Sequence, residues 1–348
     1  MGASGAERGA ERSESVRIIG STPRPGSIDE LLDPRLAARL DALDVRSLKV
    51  FSGKLQGERR SKKRGQSVEF DDHRNYVPGD DLRFIDWNVY ARLDKLFIKL
   101  FLEEEDLAVH VVVDASPSMD AGLNEAGSLS KRLFAARVAA ALGYVGLMKQ
   151  NRVGMTVFGR RGRGVARLAD MRGRHQVQRA ASFLMEEAFG GRGGAEEGGP
   201  GVGTSGLNEA LRRVAAERAG KGVFVVLSDF LDPNGYEVGL RDLAASGGYD
   251  TWCVQVLSPG EVEPERLEAS GSLGIAGDVR LTDAETGLAK EVTVTPELVR
   301  RYKARLAEYV EGLRKYCLSR EMEHVLVRTD EPVEKVVLET LRRRGVLG

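Results

Sequence analysis

The fold of this chain is decided at residues 107–119, which read LAVHVVVDASPSM. Residues 107–113 form a short, nearly continuous apolar run, which is typical of a β-strand buried on both faces. The run ends at Asp114, and Ser116 and Ser118 follow at once. In open α/β sheets, ligands bind outside the carboxyl ends of the strands, where the strand order reverses. The stretch therefore predicts a buried parallel strand that delivers three oxygen-bearing side chains to a binding edge.

Strand and helix patterns alternate from residue 107 onward. Helical spacing of apolar residues follows each strand pattern, and residues 164–168 are expected to form a short antiparallel partner. The long helical stretch 296–317 carries an aliphatic and tyrosine stripe that predicts core packing. Alternation of this kind predicts an α/β fold with a Rossmann-like, doubly wound, mainly parallel sheet. The strand predictions cover residues 107–113, 153–158, 222–227, 251–257 and 324–327.

The domain organisation is predicted from shifts in composition. Residues 1–28 are small and charged with two prolines, which predicts a disordered tail. Residues 29–106 begin with an amphipathic helical pattern and continue as a polar, turn-rich segment, which predicts a small N-terminal subdomain. Residues 107–348 are expected to form the α/β domain.

Composition narrows the function classes. The chain has 348 residues with 52 basic and 52 acidic side chains. Zero net charge argues against a general nucleic-acid binder, since phosphates favour a basic surface. There are two cysteines, which is too few for a disulfide framework, and the sequence contains neither an apolar run long enough to span a membrane nor a signal-peptide pattern. We therefore expect a cytoplasmic protein without a membrane span.

The strongest chemical signal is a set of hard oxygen ligands at strand ends. Asp114, Ser116 and Ser118 follow the first strand, and Asp229 follows the strand at 222–227. The glycine-rich stretch 190–206 contains Thr204 and Ser205, either of which can bring a hydroxyl to the same edge. Such a set suits Mg²⁺ or Mn²⁺, which favour octahedral oxygen coordination. The alternative is that these side chains only cap the next helix.

The same residues resemble a von Willebrand factor A domain. Residues 111–119 (VVVDASPSM) and 226–229 (VLSD) are similar to the first and last elements of the metal-ion-dependent adhesion site of that family. The resemblance implies that Asp114, Ser116, Ser118 and Asp229 are metal ligands. It places Ser205 at the family's threonine position, with Thr204 as the other candidate.

A second resemblance covers about residues 45–346. Residues 74–87 (RNYVPGDDLRFIDW), Ala91-Arg92, and residues 228–231 (SDFL) and 329–332 (TDEP) resemble the bacterial domain-of-unknown-function-58 family. Members are commonly found beside MoxR-type AAA+ ATPases, so the resemblance implies an adaptor or co-chaperone role. The partner expected from it is such an ATPase or its client protein.

Arg83, Asp86, Trp87 and Arg92 within this segment have two interpretations. They can lock the subdomain onto the sheet through buried Arg–Asp pairs and a tryptophan anchor. Alternatively they form a partner-docking surface, for which arginine and tryptophan are favoured residues.

The sequence predicts a binding module and no enzyme. It contains no nucleotide-binding GxxxxGK[ST] pattern and no evident general base beside the metal ligands, so no catalytic residue is assigned. The favoured function is metal-dependent protein binding through a partner carboxylate. The alternatives are a scaffold with a vestigial metal site and a Mg²⁺-dependent hydrolase.

Overall fold

The computed structural model describes residues 22–47, 70–101, 107–122, 125, 127–190, 206–217, 221–245, 247–266, 268–269, 272–273, 277–282 and 288–348. The predicted tail lies outside these residues as far as residue 21. The candidate ligands Thr204 and Ser205 also lie outside them.

The strands of the described residues are short and evenly spread along the chain. They are β1 Phe70–Asn75, β2 Phe97–Phe101, β3 Leu107–Asp114, β4 Arg152–Phe158, β5 Ala166–Met171, β6 Lys221–Ser228, β7 Tyr249–Leu257, β8 Glu268–Ala269, β9 Ser272–Leu273, β10 Gly277–Thr282, β11 Ala289–Val294 and β12 Glu323–Arg328.

The helices lie mainly between the strands of the large sheet. They are α1 Ile28–Leu31, α2 Pro34–Leu40, α3 Trp87–Leu93, α4 Lys131–Met148, α5 Val177–Phe189, α6 Leu207–Ala216, α7 Glu237–Ala244, α8 Pro259–Val262, α9 Pro296–Leu318, α10 Val333–Lys335 and α11 Arg342–Arg344, with a π-helical segment Val336–Leu341 between the last two.

The central sheet has six strands in the order β12-β7-β6-β3-β4-β5. All neighbours are parallel except β5, which runs antiparallel to β4. Counted along the chain from β3, this is the 3-2-1-4-5-6 order of a doubly wound sheet. The predicted Rossmann-like, doubly wound, mainly parallel α/β fold is confirmed, and the strand order reverses between β3 and β6.

Small residues let α4 lie unusually close to the sheet. A methyl group at Gly143 would meet Met155 Cε at 2.3 Å, and one at Gly146 would meet Val153 Cγ2 at 2.6 Å. Most residues of α4 are buried, as are all eight residues of β3. The close approach fixes the C-terminal half of α4 against β4.

The opposite face of the sheet is covered by α6, α7 and α9. Their apolar residues form one cluster with β6 and β7, in which Phe224 and Tyr249 stack at 4.3 Å between ring centroids. Only the end of the predicted α9 stripe is fully in this core, at Leu313, whereas Tyr302 is exposed. The core-packing prediction for this stripe is therefore wrong at Tyr302, whereas Val299 and Leu306 are half-buried.

The contacts within the chain define two units. The larger unit combines Met1–Lys49 with Leu107–Gly348, and the small unit is Val50–Asp106. Helices α1 and α2 contact α4, and residues 44 and 46 hydrogen-bond with residues 346 and 348. The larger unit thus includes residues 29–47, which the sequence prediction assigned to the N-terminal subdomain. The difference arises because the buried leucines of α1 and α2 find their apolar partners on α4.

The predicted disordered tail, residues 1–28, also extends too far towards its C-terminal end. Thr22 is buried, and its backbone N–H donates to Asp120 Oδ1 at 3.2 Å. A charged, proline-punctuated composition does not reveal one such anchoring contact. No helix in the described part of the chain is both long and apolar enough to cross a membrane.

Gly222→Ala tests the register between β3 and β6. A Cβ at position 222 would lie 2.0 Å from the carbonyl oxygen of Ala108 on the paired strand. Because both are backbone positions in the middle of the sheet, relief requires a strand shift, and we expect a loss of about 2 kcal/mol or more in the free energy of unfolding. Urea denaturation measures it.

Gly164→Ala is the matched control, since a Cβ there meets nothing within 4 Å. Equal stability of the two variants would contradict the described register.

Candidate functional site

The candidate site lies at the carboxyl ends of β3 and β6, on either side of the reversal in strand order. Asp114 is the last residue of β3, and Asp229 directly follows β6. Their exposed fractions are 4% and 2%. A cleft opens over them, lined by Asp114, Ser116, Ser118, Phe158, Gly159, Gly206, Leu207, Asp229, Leu231, Asp232, Pro233 and Asn234.

Two hydrogen bonds orient the Asp114 carboxylate. Oδ1 accepts from the backbone N–H of Ser116 at 2.8 Å, and Oδ2 accepts from the Ser228 hydroxyl at 2.6 Å. Gly159, with φ +87°, passes so close that a Cβ there would lie 2.9 Å from Asp114 Oδ1. The end of β4 therefore needs glycine to leave room for the carboxylate.

The two serine hydroxyls of the motif face each other. Ser116 Oγ lies 3.0 Å from Ser118 Oγ, and Ser118 also hydrogen-bonds to Asp229. Two ligands on one edge of an octahedron around Mg²⁺, each at about 2.1 Å, lie about 3 Å apart. The donor set and its spacing thus fit a small hard cation.

The capping alternative is not supported for the helix that follows. The hydroxyl of Ser130 accepts from Leu133 N–H at 3.2 Å and caps α4. Ser116 precedes the 3₁₀ turn Pro117–Asp120, but its side chain makes no capping hydrogen bond. The motif serines instead hydrogen-bond to each other and to the carboxylates of Asp114 and Asp229, and both line the cleft.

A buried lysine lies directly behind Asp229. Lys131 Nζ donates to Asp229 Oδ2 at 2.8 Å and to Glu261 Oε1 at 2.5 Å, and the lysine is 0% exposed. Asp229 Oδ1 accepts from the backbone N–H of Leu231 at 3.0 Å. Both oxygens of Asp229 therefore already accept hydrogen bonds, in addition to the bond from Ser118.

The carboxylates of Asp114 and Asp229 have opposite electrostatic environments. Burial, followed by the negative charge of Asp229, raises the pKa of Asp114 to about 7. Burial alone would raise the pKa of Asp229 too, but the charge and hydrogen bond of Lys131 outweigh it and lower that pKa. The lysine thus keeps Asp229 ionised, while Asp114 lacks a countercharge that a divalent cation would supply.

Arg132 holds the loop between the two serines. Its guanidinium donates to the carbonyl oxygens of Ala115 and Ser116 at 3.0 and 3.1 Å. It also pairs with Asp120 at 3.1 Å, the residue that Thr22 contacts from the other side. The backbone of the motif is therefore fixed from the first turn of α4.

The loop after Asp229 is held by the last long helix. Phe230 is buried with φ +59°, a left-handed conformation that is rare for a bulky side chain. Its carbonyl oxygen accepts from the Tyr309 hydroxyl on α9. Such a conformation persists because the surrounding packing determines it.

The structure brings together four of the predicted metal ligands, Asp114, Ser116, Ser118 and Asp229. Thr204 and Ser205 lie outside the described residues, although the next residue, Gly206, lines the cleft. The part of the chain that the structure describes has no cluster of three or more His, Cys, Asp and Glu side chains placed to hold a metal. An ion here would depend on the hydroxyl groups.

Sequence reasoning missed Lys131, Arg132, Ser228 and Glu261. One signal was present: Lys131 and Arg132 occupy the first turn of α4, where the helix dipole disfavours positive charge. Two basic residues at such a position indicate carboxylate or carbonyl partners elsewhere in the fold.

The predicted partner-binding residues belong to the small unit, where β1 and β2 form an antiparallel pair. Asp86 caps α3 and pairs with His73 at 2.9 Å and Lys99 at 3.3 Å. Arg83 pairs with Asp81 at the surface, and Arg92 is also exposed.

Trp87 is 61% exposed, and the tryptophan-anchor and docking-surface interpretations of this segment both stay predictions. Tyr90 contacts the Trp87 ring edge-on, with centroids 6.1 Å apart.

Fold and site together define a doubly wound α/β domain with an oxygen-lined cleft where its strand order reverses. The chain belongs to the family described as protein of unknown function DUF58, whose model matches residues 72–311. Uncharacterized proteins of Mycobacterium tuberculosis and Mycobacterium bovis are 30% identical to it over 335 residues, which cover 93% of this chain and 94% of each relative.

Solved structures with a similar arrangement are more distant in sequence. The conserved hypothetical protein BatB from Bacteroides thetaiotaomicron has 15% identity and a TM-score of 0.37, over 68% of this chain and 98% of its own. A von Willebrand factor type A protein from Catenulispora acidiphila has 15% identity and a TM-score of 0.31, over 61% and 43%.

Asp114 makes the stability of the metal-free protein depend on pH. Because its folded-state pKa is about 7 against an ordinary value near 3.8, the folded protein retains a proton that the unfolded chain has already lost. The stabilising contribution is complete below about pH 4 and is lost as the pH rises to about 7. Asp114→Asn removes this dependence, so at pH 8 in EDTA the variant is more stable than the wild type by about 1–3 kcal/mol.

Urea unfolding of both proteins from pH 4 to pH 8 measures the difference. Parallel curves across that range would show that Asp114 ionises normally.

Proposed function

We propose that this chain is a non-enzymatic, metal-dependent protein-binding module. Asp114, Ser116 and Ser118 hold Mg²⁺ or Mn²⁺ at the end of β3, and Asp229 contributes from the end of β6. An acidic side chain of a partner protein completes the coordination. The observation that carries the proposal is the pair of facing hydroxyls, 3.0 Å apart, beside two buried carboxylates.

The charge of the site supports the choice of a divalent cation. Burial, followed by repulsion from the buried Asp229 carboxylate, raises the pKa of Asp114. A bound Mg²⁺ relieves this repulsion and retains open positions, because this ion usually keeps several waters. The third hydroxyl in the proposed site is that of Ser205 or Thr204.

Two features support binding over catalysis. Each cleft carboxylate is already engaged by hydrogen bonds, and Asp229 is held by a lysine. Among the described residues that line the cleft there is no histidine, lysine or cysteine to act as a general acid or nucleophile. The partner proposed from the family resemblance is a MoxR-type AAA+ ATPase or its client, with this chain as adaptor.

Titration calorimetry with Mg²⁺ and with Mn²⁺ tests the metal site. We expect the wild type to bind metal and Asp114→Ala to bind none, since the substitution removes the carboxylate of the motif formed by Asp114, Ser116 and Ser118. Asp232→Ala is the matched control: this carboxylate also lines the cleft, but it caps α6 by accepting from Leu207 N–H at 3.0 Å. Loss of metal binding in both variants, or in neither, would contradict the assignment.

A pull-down with the purified MoxR-type ATPase of the same bacterium tests the partner. Retention is expected in Mg²⁺, with loss in EDTA and in Asp114→Ala. Retention that is unchanged under all three conditions would favour the scaffold alternative, in which the cleft is not used.

A further inference from the structure

Lys131 is a fully buried cation that contacts a proposed metal ligand. Its ammonium group lies between Asp229 and Glu261, at 2.8 and 2.5 Å, with no exposed surface. A lysine is rarely buried so completely, because its desolvation costs several kcal/mol unless carboxylates compensate. Simple packing does not require a charged group at this position, directly behind a cleft that is proposed to bind a cation.

The charges around the cleft can be counted. Asp114, Asp229, Glu261 and Asp232, which also lines the cleft, are negative and Lys131 is positive, so the five groups together carry about three negative charges when all are ionised. A divalent cation reduces this total to about one. Without the lysine the loaded site would carry about two negative charges, and it would repel an incoming carboxylate more strongly.

We propose that Lys131 sets the electrophilicity of the bound cation. The lysine neutralises part of the negative charge of Asp229, so the metal retains affinity for an acidic side chain. The proposal rests on the proposed function of the cleft. Lys131 acts through Asp229 and is therefore a positioning residue. Its presence weakens binding of the metal alone and strengthens binding of the acidic ligand to the loaded site.

The geometry supports this division of roles. The lysine engages Oδ2 of Asp229, and Leu231 N–H engages Oδ1, so the negative charge of this carboxylate is already shared before a metal arrives. The hydrogen-bond partners of Asp114 among the described residues are the hydroxyls of Ser228 and Ser116 and the backbone N–H of Ser116, and none of them is a cation. The metal is therefore expected to draw mainly on Asp114, with Asp229 contributing less.

Two substitutions shift the charge in opposite directions. Lys131→Met makes the site more negative, and Glu261→Gln makes it less negative while leaving Lys131 its bond to Asp229. Binding of Mn²⁺ alone is followed by electron paramagnetic resonance at pH 8. Binding of a blocked hexaglutamate peptide is then measured at saturating Mn²⁺ and in EDTA.

For Lys131→Met we expect Mn²⁺ to bind about tenfold more tightly and the peptide about tenfold more weakly. For Glu261→Gln both signs reverse. A purely structural role of the lysine would weaken both affinities together. Lys149→Met, at the exposed far end of α4, removes the same charge and is expected to change neither affinity.

The outcomes separate the two proposals. If the wild type binds no Mn²⁺, with or without the peptide, the metal-site proposal fails. If it binds both but the variants move the two affinities in the same direction, or in no direction, the role of Lys131 is refuted. Should Lys131→Met not fold, as judged by circular dichroism, Glu261→Gln decides alone, because its side chain is 18% exposed and its replacement keeps a hydrogen-bonding group.

Discussion

The desolvated ammonium group of Lys131 is the constraint on which the site depends. It joins the first turn of α4, the end of β6 through Asp229, and α8 through Glu261, so three segments meet at one buried charge. Removing one partner of such a cluster typically costs about 3–5 kcal/mol, because an uncompensated charge is left in the interior. The strand ends are therefore held in place before any ligand arrives.

Close backbone packing at three glycines also positions the elements around the site. Gly143 and Gly146 let α4 approach β4, and Gly159 leaves space beside Asp114. The motif serines need no role in capping α4. The helix already has Ser130 for that purpose, and Arg132 ties the serine loop to the same helix turn. Rigid scaffolding of this kind is what a metal site needs to hold its ligands at fixed spacing.

The fold and half of the site could be predicted because the signals are local. An apolar run ending in Asp114 shows both the strand and its binding end. Other features depend on partners distant in sequence. The sequence around Lys131 indicates an ordinary surface lysine, and only the fold places Asp229 and Glu261 beside it. The split between α1 and α2 follows from Asp33-Pro34, since proline begins a new helix more readily than it continues one. In α9, the helical spacing of apolar residues predicted burial of Tyr302. The sheet is shorter than this helix and leaves the Tyr302 side chain exposed.

The antiparallel bridge between Val45 and Leu347 has a kinetic consequence. It joins positions separated by almost the whole chain, so its closure must wait until the intervening segments have condensed. The parallel sheet, whose neighbouring strands are closer in sequence, is expected to form the folding nucleus, and this bridge to form after the rate-limiting step. Contacts absent from the transition state act mainly on the unfolding rate. We therefore expect the bridge to slow the unfolding of the larger unit and to leave its folding rate nearly unchanged.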